Sequence, residues 1–204
     1  MTAPTLGATV IVANHYQNEN CHPDGKIKVG IGADSAWRWE RLENAKRLFA
    51  GARGAAVPIV HVRLAVPADF KGVVANTDLI REWLKLGAWR EGTWGVEFIE
   101  GLVPTAEEYI VTHTRNSGFH NSTLEEVLFS LGARHLICCG VSTAYTVEAT
   151  VRHATDIGYT VTVAADACST ATQEQHNNAL KAMAPLAAIQ DVDEIIKGFA
   201  AARP

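Results

Sequence analysis

The sequence predicts an α/β fold in three layers, α/β/α, with helices on both faces of a roughly six-stranded, mainly parallel sheet. Three observations predict it. Short, unbroken apolar runs rich in β-branched residues recur along the chain, as strands buried on both faces require. Segments with apolar residues at helical spacing alternate with them. Polar residues, histidine among them, stand where several of the apolar runs stop. With 204 residues, 48% hydrophobic and 20% charged, the chain suits one such domain over 1–204 with a substantial core.

The first strand is 8–13, a continuous apolar run that places His15 at its carboxyl edge. Residues 21–34, with Pro23-Asp24-Gly25, read as a loop. Leu42, Ala45, Leu48, Phe49 and Ala52 share one helix face, and Gly54 closes that helix. The second strand is 57–62, with His61 near its end. Residues 64–104 form a long connection with a short helix at 79–86. Trp83, Trp89 and Trp94 in it either line a pocket or pack on a partner subunit. The third strand, 108–112, ends at His113. Ser122-Thr123-Leu124-Glu125 has the form of a capping box for a helix carrying Leu124, Val127, Leu128 and Leu131, which Gly132 ends. Leu136-Ile137-Cys138-Cys139 is the fourth strand, followed by a sharp turn at Gly140 and a helix with Val147, Val151, Ala154 and Ile157 inward. A fifth strand at 160–164, a loop at 166–169, a helix at 172–183, a sixth strand at 187–189 and a last helix at 192–201 complete the order.

Parallel sheets of this kind bind ligands at the carboxyl ends of their strands. His15, His113 and Thr146 all fall at such ends. A strand-to-helix turn leaves backbone N–H groups unpaired, and a nucleophile with an oxyanion hole can be built on it. Thr146 is the side chain placed for that role. Tyr145, Phe119 and Trp94 are candidates for a pocket wall, with core or interface packing as the other reading. Arg115 either neutralises a substrate carboxylate or pairs on the surface. His15, His61 and His113 could make a three-histidine metal set, but their spacing is no local metal motif, and no metal or other cofactor is expected. His22, His120, His135, His153 and His176 read as surface or loop residues. Cys138 and Cys139 read as small core hydrophobes, whereas Cys21 and Cys168 sit in loops where a thiol could react.

A formal net charge of −4 gives no electrostatic footprint for nucleic acid or an anionic membrane. No apolar run approaches bilayer-spanning length, and residues 1–4 lack the basic and apolar regions of a signal peptide. The expected setting is the reduced cytoplasm, and the expected partner is a small-molecule substrate.

Several short motifs recur in a fixed order over nearly the whole chain. They are Gln17-Asn18 with Cys21-His22-Pro23-Asp24-Gly25, then Glu91-Gly92-Thr93-Trp94-Gly95, then Ser117-Gly118-Phe119 with Asn121. Gly140-Val141-x-Thr143, Val147-Glu148-x-Thr150, Gly158-Tyr159 and Asp166-Ala167 follow. In this the sequence resembles the isochorismatase-like hydrolases, or cysteine hydrolases, which include nicotinamidases and ureidoacrylate amidohydrolases. The resemblance implies the Rossmann-like isochorismatase fold, a homo-oligomer, and hydrolysis of a small C–N (amide or ureide) or C–O bond. It also implies an Asp after the first strand, a Lys after the third and a Cys at the turn. Counted from the quoted motifs, those positions hold His15, His113 and Thr146. An Asp–Lys pair is one anion and one cation; two imidazoles replace it without leaving a lone buried charge. The resemblance further implies an oxyanion hole from the Ser142 and Thr146 amides, with a cis peptide at Val141-Ser142. Beside the three-histidine metal set, three readings stay open: attack by Thr146 with an imidazole base, histidine acid–base chemistry without a covalent step, or a binding or assembly protein that kept only the fold.

Overall fold

The computed structural model describes residues 9–28 and 36–201. Ala8, which opens the first expected strand, residues 1–4 and the end of the 21–34 loop lie outside them. Six strands form one sheet: β1 (Thr9–Asn14), β2 (Ile59–Leu64), β3 (Tyr109–His113), β4 (His135–Val141), β5 (Thr160–Ser169) and β6 (Ala188–Gln190). Their order is β3-β2-β1-β4-β5-β6, and every neighbouring pair is parallel. Among the described residues seven α-helices accompany them: α1 (Asn18–Cys21), α2 (Ala36–Gly54), α3 (Asp78–Leu86), α4 (Leu124–Ser130), α5 (Glu148–Asp156), α6 (Gln173–Met183) and α7 (Val192–Ala201). Among the described residues no helix is long and apolar enough to cross a membrane.

The core lies on both faces of the central strands. All of β1 is buried, and Leu136, Cys138 and Cys139 of β4 are fully covered. Leu48, Phe49 and Ala52 of α2 pack into the same core as Leu128 of α4 and Val151 and Ala154 of α5. Strand order runs outward in opposite directions from β1 and β4, so the crevice of the switch point opens between their carboxyl ends. Gly140 sits in that crevice with φ +139°; a Cβ there would lie 2.2 Å from the Asn14 carbonyl oxygen, so only glycine fits.

The structure corrects several expectations. Strand β5 continues through 166–169, past an irregularity in its pairing with β4 between Cys138 and Gly140. Asp166 does not end the strand, because its carboxylate accepts hydrogen bonds from the Val192 amide and the Asn44 side chain. Helix α4 starts one residue late for a box built on Ser122; Ser122 Oγ instead accepts the Leu124 amide at 3.2 Å. Ile157 lies past the end of α5 and is 40% exposed, off the buried face.

Candidate active site

His15 follows β1 directly, with φ +53°, a left-handed backbone that histidine adopts more readily than most side chains. Its amide donates to Val62 O at 2.9 Å, turning the chain over the end of β2. His113 closes β3, on the far side of β2 from β1. The two rings lean across the end of β2 and meet Nε2 to Nε2 at 2.5 Å, although 98 residues separate them. His113 Nδ1 donates to Ser117 O at 2.9 Å, which fixes the ring. The loop holding Ser117 is fixed in turn: the Gly118 amide donates to Thr150 Oγ1 of α5 at 3.0 Å.

After β4 the Val141–Ser142 peptide is cis, and one π-helical turn, Thr143–Val147, leads into α5. Such wide turns leave backbone groups free and recur at functional sites. The Tyr145 and Val147 amides both donate to Ser142 O, and the Glu148 amide donates to Thr143 O and Tyr145 O. The amides of Ser142 and Thr146 are outside that set. Thr146 Oγ1 lies 3.5 Å from His15 Nε2, at the outer limit of a hydrogen bond. Ser142 Oγ shares a 2.6 Å hydrogen bond with Thr170 Oγ1, and Thr143 Oγ1 shares one of 2.9 Å with His176 Nδ1.

Burial sets the charge of the pair. Loss of hydration holds His15 well below the ordinary histidine range, and the nearby His113 adds to it. Desolvation pulls His113 down to about 4; the Ser117 carbonyl opposes this and the charge of His120 assists it. Both rings are neutral at pH 7. Burial also lowers His61 and His135, and it lowers His176 to about 4. Between these values and the unfolded value of about 6.5, the unfolded chain binds more protons than the folded one. Stability is therefore complete above the unfolded value and is lost as pH falls through the folded values. The urea midpoint is expected to drop steadily from about pH 7 to about pH 5. A midpoint that is flat over that window would contradict the neutral buried rings.

His15, Thr146, Ser142 and Tyr145 line one cavity of about 30 Å³, with Trp83 and Trp89 also in its wall. That volume has room for water. Three candidates lie elsewhere. Phe119 packs into the core, stacked on His153 with centroids 4.9 Å apart, because the loop turns its ring toward α5. Trp94 is 46% exposed and meets the His22 ring edge-on. Arg115 donates to Asn76 Oδ1 and Val74 O and lines a neighbouring, wider cavity with Asn116 and His120. The two cavities share Leu79, Trp83 and Asn116.

His61 does not join the other two histidines. Its Nε2 is 2.9 Å from Glu108 Oε2, and its ring stands edge-on to Phe49 and Phe98. Among the described residues no group of three or more His, Cys, Asp or Glu is arranged to hold a metal. Two more histidines are not surface residues. His176 is 2% exposed beneath Thr143, and His135 bridges Thr9 and Thr162 within the sheet. Cys21 and Cys168 are fully buried, and burial raises both thiols far above the reactive range.

Two further parts stood wholly or partly in the quoted motifs without a role assigned to them. One is Ser117, which acts through its carbonyl and so carries no side-chain signal. The other is the buried polar run 17–20. Gln17 bonds Leu64 and Val96, Asn18 bonds Trp94 O, and Asn20 bonds Val141 O. Glu19 accepts the Lys26 amide at 2.9 Å and the Trp89 amide at 3.1 Å. Four consecutive side chains thus tie the loops around the cavity to β1.

Comparison with known proteins bears on the family and the fold. A family model described as the isochorismatase domain matches residues 9–194. An uncharacterised isochorismatase family protein of Escherichia coli O157:H7 is 29% identical over 161 residues, 78% of this chain and 84% of its own. A ureidoacrylate amidohydrolase of Pseudomonas syringae pv. syringae is 28% identical over 173 residues, 79% of this chain and 70% of its own. Among solved structures, a cysteine hydrolase from Pseudomonas syringae pv. phaseolicola superposes with a TM-score of 0.87 at 23% identity, over 100% of both chains. At that identity the superposition speaks for the fold.

Proposed function

The chain belongs to the isochorismatase family of hydrolases, and from that membership we propose that it hydrolyses a small amide or ureide where His15, His113 and Thr146 converge. One observation carries the reading. Three polar side chains from separate elements come together at the carboxyl edge of the sheet: His15 Nε2 is 2.5 Å from His113 Nε2 and 3.5 Å from Thr146 Oγ1, across 98 and 131 residues of sequence. A neutral imidazole pair keeps a lone pair that can take a proton and return it. The Ser142 and Thr146 amides receive the developing oxyanion, and Tyr145 forms part of the wall. The ureidoacrylate amidohydrolase relative favours a C–N bond over a C–O bond.

Arg115 is the counter-ion for a substrate carboxylate in this reading. Its hydrogen-bond partners, Asn76 and Val74, are neutral, and neither cavity is lined by a carboxylate among the described residues. The reading extends to a cytoplasmic homo-oligomer built from one domain over 1–204. Ile110 on edge strand β3 is 52% exposed and Phe129 on α4 is 80% exposed, which supports a partner surface.

The test is a panel of small ureides and amides, with and without a carboxylate, assayed for amine or ammonia release. Turnover is expected for a carboxylate-bearing ureide. Arg115→Met is expected to raise its KM about tenfold with kcat unchanged, as loss of uniform binding does. An unchanged KM would confine Arg115 to holding the 74–76 segment. Saturable binding across the panel without turnover would instead favour a binding protein.

A further inference from the structure

We infer that water, not Thr146, attacks the scissile carbonyl, with His15 Nδ1 as general base and His113 as the positioning residue that holds His15 in the required tautomer. This rests on the hydrolase reading above, but its argument is a proton count. Ser117 O can only accept, so its 2.9 Å contact places a proton on His113 Nδ1. A neutral imidazole carries one ring proton, so His113 Nε2 presents a lone pair. The 2.5 Å contact with His15 Nε2 requires one proton between the two nitrogens, since two facing lone pairs repel and two facing N–H groups collide. His15 Nε2 is therefore the donor. The remaining lone pair of the two rings belongs to His15 Nδ1. No described residue hydrogen-bonds that nitrogen, and His15 lines the cavity, which has room for water.

Thr146 meets the wrong nitrogen. Its Oγ1 is 3.5 Å from His15 Nε2, which already carries a proton and has no lone pair to offer. Deprotonating Thr146 through Nε2 would send the shared proton wholly to His113. Because Nε2 must lose its own proton before it can take another, that route passes through an imidazolate beside an imidazolium in a buried site, which is costly. The β-branched carbon of threonine also crowds an attack. Taking a water proton at Nδ1 creates one imidazolium only, and its Nε2–H stays held by the His113 lone pair.

The step balances. The water oxygen bonds to the carbonyl carbon as His15 Nδ1 takes its proton, and the C=O electron pair moves onto oxygen. Collapse of the tetrahedral species re-forms C=O and breaks the C–N bond. The leaving nitrogen takes the proton back from His15 Nδ1. The products are a carboxylic or carbamic acid and an amine, and His15 is neutral again.

The first test is turnover of Thr146→Val and Thr146→Ser, with intact-protein mass spectrometry during the reaction. Thr146→Val should be slowed, since its side chain lines the cavity, but should keep measurable turnover, with no acyl adduct on any form. A dead Thr146→Val, an active Thr146→Ser and an acyl adduct would overturn the inference and leave the hydrolase reading standing. The second test concerns His113. His113→Leu should lower kcat by at least about tenfold, because it frees the His15 tautomer. His113→Gln, whose side-chain carbonyl can accept the His15 Nε2–H, should restore most of it. A Gln variant as impaired as the Leu variant would argue for bulk packing and against positioning. The ¹⁵N ring shifts of His15 should report Nε2–H and a bare Nδ1, with no substrate needed. An Nδ1–H tautomer overturns the inference directly. If wild type turns over nothing in the panel, the hydrolase reading falls and the inference with it.

Discussion

His15→Asn lowers kcat/KM by about 10²–10⁴-fold, the share of the rate that a positioned general base supplies. Asparagine is the informative replacement at this position. It is enriched at positive φ, so it accepts the +53° backbone of residue 15 and leaves the turn over β2 in place. Its amide has no basic lone pair, so it can hydrogen-bond a water but cannot take its proton. Thermal unfolding should therefore change little while turnover collapses. The measurement is a pair of numbers on one preparation, the melting midpoint and the initial rate on the best panel substrate. A rate within about tenfold of wild type would remove His15 from the chemistry.

The second large effect is structural. Glu19 is 2% exposed, and its two carboxylate oxygens accept separate backbone amides, Lys26 N–H and Trp89 N–H. Gly95 packs so close that a Cβ there would lie 2.3 Å from Glu19 Oε2. Hydrogen bonds to a charged group contribute roughly 1.5–3 kcal/mol each. Glu19→Ala removes both and strands a buried donor at Trp89 and a partly buried one at Lys26, so a cost of about 3–6 kcal/mol is expected. Domains of this size have about 5–15 kcal/mol in total, so the variant should be close to unfolding at room temperature. Urea titration gives the magnitude, and amide exchange at Trp89 should rise before the β1 amides respond. A midpoint within error of wild type would mean the amides find other acceptors.

Much of the sheet was legible because burial on both faces leaves a plain mark. Runs such as Val10-Ile11-Val12 and Ile137-Cys138-Cys139 have no polar alternation, and a parallel strand between two helical layers requires that. The extension of β5 was not legible, because Asp166 looks like a strand end until Val192 and Asn44 are seen to hold it. Histidine types carried little positional information. His135 and His176 have the same letter as exposed His120, and their partners Thr162 and Thr143 lie 27 and 33 residues away. Aromatic type was equally mute about direction: Trp89 and Trp94 stand five positions apart, one at 2% exposure against the cavity and one at 46% outside it. The placement of His15, His113 and Thr146 at strand ends followed from the apolar pattern. Their proton arrangement did not, because it depends on a carbonyl, that of Ser117, which every residue type would supply.

The buried run Gln17-Asn18-Glu19-Asn20 bears on how sequence variation in this chain should be read. Each of the four side chains satisfies backbone groups with its own geometry, so a swap that preserves size or polarity still leaves a donor or acceptor stranded. Such a stretch resists substitution as strongly as a set of reacting groups would, without touching a reacting atom. In this fold, intolerance to mutation marks the stitching of the cleft as readily as the chemistry inside it. Ranking residues by intolerance alone would put Glu19 beside His15 and give it the wrong occupation.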